Sequence, residues 1–353
     1  MSEADLPRAL AIVGPTASGK SRLALWLAER LELPVLCCDS VQVYRGLDIG
    51  SAKPGPELQA RVPHRLIDLV APDQEFSAGD YAAAAHAELA RGPGLFCGGT
   101  GFYLRAAGWT HSGGEPEGAA EGVVSPGAEG VVGADGVVGA DEAVAGRAAF
   151  TALWEGRERE SPGVVHAALS HVDPETARAI HPRNVVRALR ALWLCEAHAM
   201  PVSRVREADP PRPRLALALV MLEPETTALA RAIDARCDAM LRAGFLAEVE
   251  MLRRAGYDAR HKSMRSLGYR QLLDHLEGHL SLADAVAAIK LATRHYARRQ
   301  RTFFRHQLGG GSGGSVAMRI SVTAPLWESV IDLSRETGAW LPRVEEFLSG
   351  ASS

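Results

Sequence analysis

Short unbroken apolar runs and longer stretches of helical spacing alternate along the first third of the chain. Residues 8–13, RALAIV, predict a buried strand. After the glycine-rich GPTASGKS, Leu23, Leu27 and Leu31 fall four apart with Trp26 and Arg30 beside them, which predicts a helix. PVLCC at 34–38 predicts a second buried strand that stops at Asp39. The alanine-rich residues 80–91 predict a helix, and GLFCGGTG a strand running into a glycine turn. Strands that alternate with helices, each ending in a polar loop, imply an α/β fold. Its doubly wound parallel sheet would carry helices on both faces and a site at the strand carboxyl ends.

The core would occupy 8–110 and resume at 211–308 with the strand LALALVML (215–222). Between these lie two different stretches. Residues 111–146 hold ten glycines and seven acids with no Lys or Arg, and predict a flexible surface insertion without chemistry of its own. Residues 147–210 read as an inserted helical domain. Predicted helices cover 147–160, 174–180, 184–198, 225–256, 266–276 and 282–305. GGGSGGS (309–315) resembles a linker. The tail to 353 predicts a strand, VAMRISV, and a helix, APLWESVIDLSRETG.

Composition narrows the class. No run of about 18 apolar residues exists, so a membrane span is not expected. The first ten residues show no basic segment leading into an apolar one, so no secretory signal is expected. Five cysteines without CxxC spacing disfavour a disulfide framework or a zinc cage and suit a cytoplasmic protein. Cys37 and Cys38 read as packing, and the scattered histidines, His64 and His86 among them, form no metal-ligand pattern. The net charge of −3 conceals strong local bias. Residues 181–214 carry seven arginines against three acids. No acid lies between Lys290 and Arg305, a stretch that includes Arg294, Arg298, Arg299 and Arg301. A one-sign stripe on one helical face suits tracking of phosphates. Tyr296, Phe303 and Phe304 interleave with it and read as core packing.

Gly14-Pro15-Thr16-Ala17-Ser18-Gly19-Lys20-Ser21 fits the phosphate-loop pattern GxxxxGK[ST] between strand and helix. Loop amides, the helix N-terminus and Lys20 would hold a di- or triphosphate, and Ser21 would reach a magnesium ion. The loop alone leaves a kinase or NTPase open. A GTPase is disfavoured, because the chain's only asparagine, Asn184, belongs to no base-reading NKxD motif. On the second strand's end, Asp39 could bind magnesium through water, take a proton from a nucleophile, or simply cap a turn.

The strings GPTASGKS, DSVQVYRGLDIGSAKP, VPHRLIDLVAP, CGGTGFYL, DPETARAIHP, RSLGYRQ and TRHYARRQRTFFR follow in order from Gly14 to Arg305. Together they resemble the tRNA dimethylallyltransferases of the IPP transferase family. The resemblance implies a P-loop NTPase-like core with an inserted tRNA-binding helical domain. It further implies a cytoplasmic monomer that acts on the tRNA anticodon stem-loop, with dimethylallyl diphosphate as donor and Mg²⁺ as cofactor. The dimethylallyl group would pass to N6 of adenosine 37, beside the anticodon. By this resemblance Asp39 is the general base, Thr100 stands beside the target base, and Arg236 and residues 14–21 hold the diphosphate. The tRNA contacts implied are Asp39, Ser40, Val41, Gln42, Thr100, Arg147, Arg187, Arg190, Arg265, Gly268, Tyr269, Arg294 and Arg298. The sequence departs from the family at Val186, where a glutamine is usual, and at Ala232, where an arginine is usual and Arg231 stands one residue off.

Overall fold

The computed structural model describes residues 5–110, 131–133, 136–138, 140–308, 316–322 and 337–350. The chain opens with β1 (Arg8–Val13), α1 (Lys20–Leu31), β2 (Val35–Cys37), α2 (Pro56–Arg61) and β3 (His64–Arg65). Then come α3 (Ala78–Leu89), β4 (Gly94–Gly98) and α4 (Gly101–Gly108). A stretch with β5 (Val131–Gly133), β6 (Gly136–Val138), α5 (Ala140–Glu160), α6 (Val164–Val172), α7 (Pro174–Arg178), α8 (Val185–Ala197) and α9 (Val202–Ala208) follows. The last described part holds β7 (Ala216–Leu222), α10 (Thr226–Arg242), α11 (Phe245–Arg254), α12 (Tyr269–Leu276), α13 (Leu282–Gln307), β8 (Val316–Val322) and α14 (Leu341–Ser349). Among the described residues no helix is long and apolar enough to cross a membrane.

The contacts divide the chain into two units, 1–109 with 213–353, and 110–212. The first is built on a six-stranded sheet in the order β3-β2-β4-β1-β7-β8, with every pair parallel. Parallel strands buried on both faces need apolar side chains at every position, and the runs supply them. Ala9, Ala11, Val13, Leu36, Phe96, Leu217 and Leu219 face one core, packed with α3, α4 and α11–α13 residues such as Tyr81, Leu104, Phe245 and Phe304. The alternate residues Leu10, Ile12, Val35, Leu95, Ala218 and Val220 face the other core, where Leu23 and Leu27 of α1 meet Trp340, Leu341 and Val344. Because β4 lies between β1 and β2, the carboxyl ends of β1, β4 and β2 are side by side. This crevice is where an open α/β sheet places its ligand.

The second unit has its own apolar core, made by Val165, Leu169, Ala188, Leu189, Leu192 and Val202. Asp173 is fully buried there and caps α7, its carboxylate accepting from Thr176 N at 3.0 Å and Ser203 N at 2.9 Å. Burial alone would raise its pKa, but these hydrogen bonds outweigh it and hold the carboxyl below its usual range.

Several elements differ from expectation. The stretch 225–256 is two helices, broken after α10, because Gly244 adopts φ +102° and ends the helical path. Helices α6 and α9 were not expected from the pattern; both are short, and the apolar face of α6 is hidden in a mixed run, VVHAALSHV. Within 111–146, Val131 pairs Val138 and Val132 pairs Val137 in an antiparallel ladder, and α5 begins at Ala140 rather than 147. The remainder of that insertion, the 309–315 linker and most of the predicted helix APLWESVIDLSRETG lie outside the described residues.

Candidate active site

The loop after β1 folds back on itself, with Ser18 N–H donating to Pro15 O at 3.2 Å and Ala17 at φ +60°. Lys20, the first residue of α1, is nearly buried and donates from Nζ to Pro15 O at 2.7 Å. Burial pushes its pKa down to about 8; the positive charge of Arg236 adds to this, while Cys97 and Asp39 oppose it. The Ser18 hydroxyl is buried without a hydrogen-bond partner among the described residues. Ser21 is exposed and lines the polar chamber together with Cys97.

At the end of β2, Asp39 Oδ1 accepts from Val41 N at 2.9 Å and Gln42 N at 3.4 Å. The aspartate therefore does cap a turn, and it also stands on the wall of the site. At the end of β4, Thr100 N–H donates to Cys38 O at 3.1 Å, which binds the two strand ends together. Thr100 Oγ1 accepts from Ser40 N at 3.0 Å and lies 3.3 Å from Ser40 Oγ.

Two chambers meet over these strand ends. One, about 240 Å³, is lined on its apolar side by Ile233, Met240, Phe245, Leu267 and Ile289. The other, about 180 Å³, holds Lys20, Ser21, Gln42, Lys53 and Cys97. Thr16, Asp39, Ser51, Arg236 and Tyr296 line both. Arg236, on α10, is thus brought to the junction, with its pKa lowered by burial against the pull of Asp39. Arg231 is exposed on the same helix. Ser40 and Val41 line the apolar chamber, while Thr100 stands behind Ser40 rather than on the wall. Cys38 and Cys97 are buried, which raises their thiols to about 12 and about 11 and leaves them unreactive packing groups.

The residues expected to meet RNA are divided. Arg187 and Arg190 are exposed on α8 beside Val186, which is 79% exposed, and Arg147 is half-buried on α5. Arg265 and Arg298 are exposed in the first unit. Gly268 has φ +93°, and a Cβ there would lie 2.9 Å from the Phe245 ring, so it is a close-packed turn at the chamber wall. Tyr269 corrects the expectation: its side chain is wholly buried and its hydroxyl donates to Glu248 Oε1 at 2.7 Å, so it supports the wall from behind. The basic stripe of α13 is also less free than its sequence suggests. Acids from other elements answer it: Arg294 pairs with Asp234, Lys290 with Asp238 and Arg305 with Glu223, each at 2.6 Å. Arg301 donates to Thr226 and Pro224.

Three residues were not foreseen, and a fourth, Tyr296, expected to be core packing, instead lines both chambers. Tyr296 and Gln300 reach the site from α13, one turn apart. Lys53, with 4% of its side chain exposed, joins Asp48 at 2.5 Å and Asp68 at 2.6 Å and pins the loop after Asp39. Glu248 accepts from the backbone N–H groups of Asp48, Ile49 and Gly50, holding the next segment of that loop. Lys53 and Gln300 lie inside the quoted strings, but nothing local marks them; a lone acid on the apolar face of α11 was the one signal for Glu248.

A glycine-rich loop at the carboxyl edge of a parallel sheet, facing a carboxylate and a buried arginine across a partly apolar chamber, defines an α/β protein with its site at the strand ends. Residues 42–307 match the family model for IPP transferase, and residues 7–67 that for isopentenyl transferase. The chain belongs to the IPP transferase family. It is 40% identical over 310 residues to tRNA dimethylallyltransferase 2 of Geotalea uraniireducens, covering 85% of this chain and 90% of that protein. The tRNA dimethylallyltransferase of Roseiflexus castenholzii is 40% identical over 304 residues, covering 84% and 89%. The crystal structure of the full-length tRNA isopentenylpyrophosphate transferase from Bacillus halodurans matches with TM-score 0.62 and 27% identity over 97% of this chain and 98% of that one. A eukaryotic dimethylallyltransferase acting on tRNA shares the fold, with TM-score 0.72 at 20% identity over 98% and 80% of the two chains.

Proposed function

We propose that the protein transfers a dimethylallyl group from dimethylallyl diphosphate to N6 of adenosine 37 in tRNA and releases diphosphate. The observation that carries this reading is the meeting of Asp39, Arg236 and the phosphate loop at the junction of a polar and an apolar chamber. The relatives' names, tRNA dimethylallyltransferase, support the choice of donor and acceptor.

The diphosphate lies against residues 14–21, of which Thr16, Lys20 and Ser21 line the polar chamber. The apolar wall of Ile233, Met240, Phe245 and Ile289 receives hydrocarbon and excludes water that would otherwise attack the donor. The adenine amine is a poor nucleophile because its lone pair is delocalised into the ring. As N6 bonds to C1 of the allyl group, the C1–O bond breaks and its electron pair leaves with diphosphate. Asp39 takes the N6 proton, and Lys20 and Arg236 neutralise the departing charge. The exposed hydroxyl of Ser21 and the oxygen-rich donor phosphates suit Mg²⁺, which prefers hard oxygen ligands and retains water. When bound, the ion would add charge neutralisation on the leaving group. To reach a strand end, the adenine must leave the anticodon-loop stack. Exposed Arg187, Arg190, Arg265 and Arg298 then hold the RNA backbone.

The test is incubation with Mg²⁺, labelled dimethylallyl diphosphate and unmodified tRNA bearing adenosine 37. Label is expected on that tRNA and not on a tRNA with guanosine at the same position. Label on AMP, or ATP consumption with no label anywhere, would overturn the reading. Asp39→Ala should lower kcat by about 10²–10⁴-fold while tRNA affinity stays within a few-fold. A collapse of affinity instead would remove the general-base role.

A further inference from the structure

Gln300 makes two hydrogen bonds that its own helix does not need. Its Oε1 accepts from Thr16 N–H at 2.8 Å, inside the phosphate loop that follows β1. Its Nε2 donates to Gly99 O at 2.9 Å, at the end of β4, one residue before Thr100. The side chain is 5% exposed. A buried amide must have its hydrogen bonds satisfied, and an apolar side chain would fill the same volume without that demand. Space has been cleared for it: a Cβ on Gly99 would lie 2.1 Å from Nε2. One turn earlier on α13, Tyr296 lines the polar chamber together with Gln300, and Thr100 follows Gly99 directly. Thr100 in turn holds Ser40, next to Asp39.

We infer that Gln300 is a positioning residue that fastens the donor-holding loop to the acceptor-side strand end, so that the two substrates meet in register. The inference rests on the proposed assignment of donor to the phosphate loop and acceptor to the Asp39–Thr100 edge. Group transfer between two bound molecules depends on the separation of the reacting atoms, and a displacement near 1 Å costs about 10²-fold in rate. In this fold that separation is set across β1, β4 and β2, whose backbone ladders end before the loops begin. Gln300 is a cross-tie beyond the ladder. It also links the two ends energetically, since a phosphate that reorients Thr16 N–H acts on the amide that supports Gly99.

Two variants separate this role from simple packing. Gln300→Leu removes both hydrogen bonds, and Gln300→Glu keeps an acceptor for Thr16 N–H but cannot donate to Gly99 O. Hydrogen exchange on the full chain, with inorganic diphosphate as the probe, reads the link without any transfer. In the unaltered protein, diphosphate should slow exchange in both 14–19 and 98–101. In either variant it should slow only 14–19. In transfer assays kcat should fall by about 10²-fold, with KM for dimethylallyl diphosphate within a few-fold. Should Gln300→Leu fail to fold, Gln300→Glu is read in the same way. Diphosphate protection of both segments in the variants would overturn the inference, as would transfer kinetics that merely track the folded fraction. A protein that transfers nothing to tRNA defeats the functional reading, and the exchange result then decides the link alone.

Discussion

At the scale of single residues, the buried Lys20 makes donor binding sensitive to pH. Its free-state pKa is held near 8, and a bound diphosphate would favour the charged form and raise it. Below pH 8 the ammonium is already protonated and binding needs no proton. Above pH 8 each binding event must take one up. We therefore expect kcat/KM for dimethylallyl diphosphate to be flat from pH 7 to about 8 and then to fall by up to tenfold per pH unit. A pH profile that stays flat to pH 9.5 would show that Lys20 keeps its charge when free. Glu248 makes a second prediction. Its carboxylate accepts from three consecutive backbone N–H groups and Tyr269, and an amide in its place would turn a donor toward some of them. Glu248→Gln should lower stability by about 1–3 kcal/mol, visible as a reduced midpoint in urea unfolding. Motif residues such as Asp39 and Lys20 were legible because their chemistry is local to a loop. Glu248 and Gln300 were not, since the loop that Glu248 holds and both partners of Gln300 lie about 200 positions or more away in sequence.

At the scale of elements, α10 and α13 show why a charge pattern on one helix is an incomplete statement. Read alone, α13 offers a ribbon of positive charge. In the fold, Asp234 and Asp238 of α10 neutralise Arg294 and Lys290, and the exposed residues that remain include Arg298 and Arg299, the latter over the Tyr296 ring. Arg298→Ala should consequently weaken tRNA binding more than Arg294→Ala does. Arg294→Ala should cost no more than about 1 kcal/mol of stability, because the pair is part-exposed. Filter-binding measurements with both variants check the order, and the reverse order would restore the ribbon. The strands were the most readable elements, because a parallel sheet buried on both faces leaves continuous apolar runs. Helix ends were less so: the break at Gly244 depends on one residue's left-handed backbone within a long amphipathic stretch.

At the scale of the whole molecule, each of the two units carries its own core. Asp173 is the polar keystone of the second unit's packing. A carboxyl whose pKa is depressed by folding contributes stability above its unfolded pKa and loses it as pH falls through the folded value. Asp173→Ala should thus destabilise the protein at neutral pH by about 1–2 kcal/mol, and the difference from the unaltered chain should shrink in acid. Arg187→Ala should raise KM for tRNA and reduce by about one the slope of log affinity against log salt concentration.

Trp340, Leu341 and Val344 complete the layer that covers Leu10 and Ile12 of β1, and Arg8 donates to Phe347 O at 2.6 Å. The strand that launches the phosphate loop is therefore roofed by residues about 330 positions further along the chain. During synthesis the loop, Lys20 and Asp39 precede this cover, so on that face of β1 Leu23 and Leu27 of α1 are in place well before residues 340–347 complete the layer. Packing of the strand beneath the loop is thus completed by distant sequence, as a consequence of chain order rather than of any regulator.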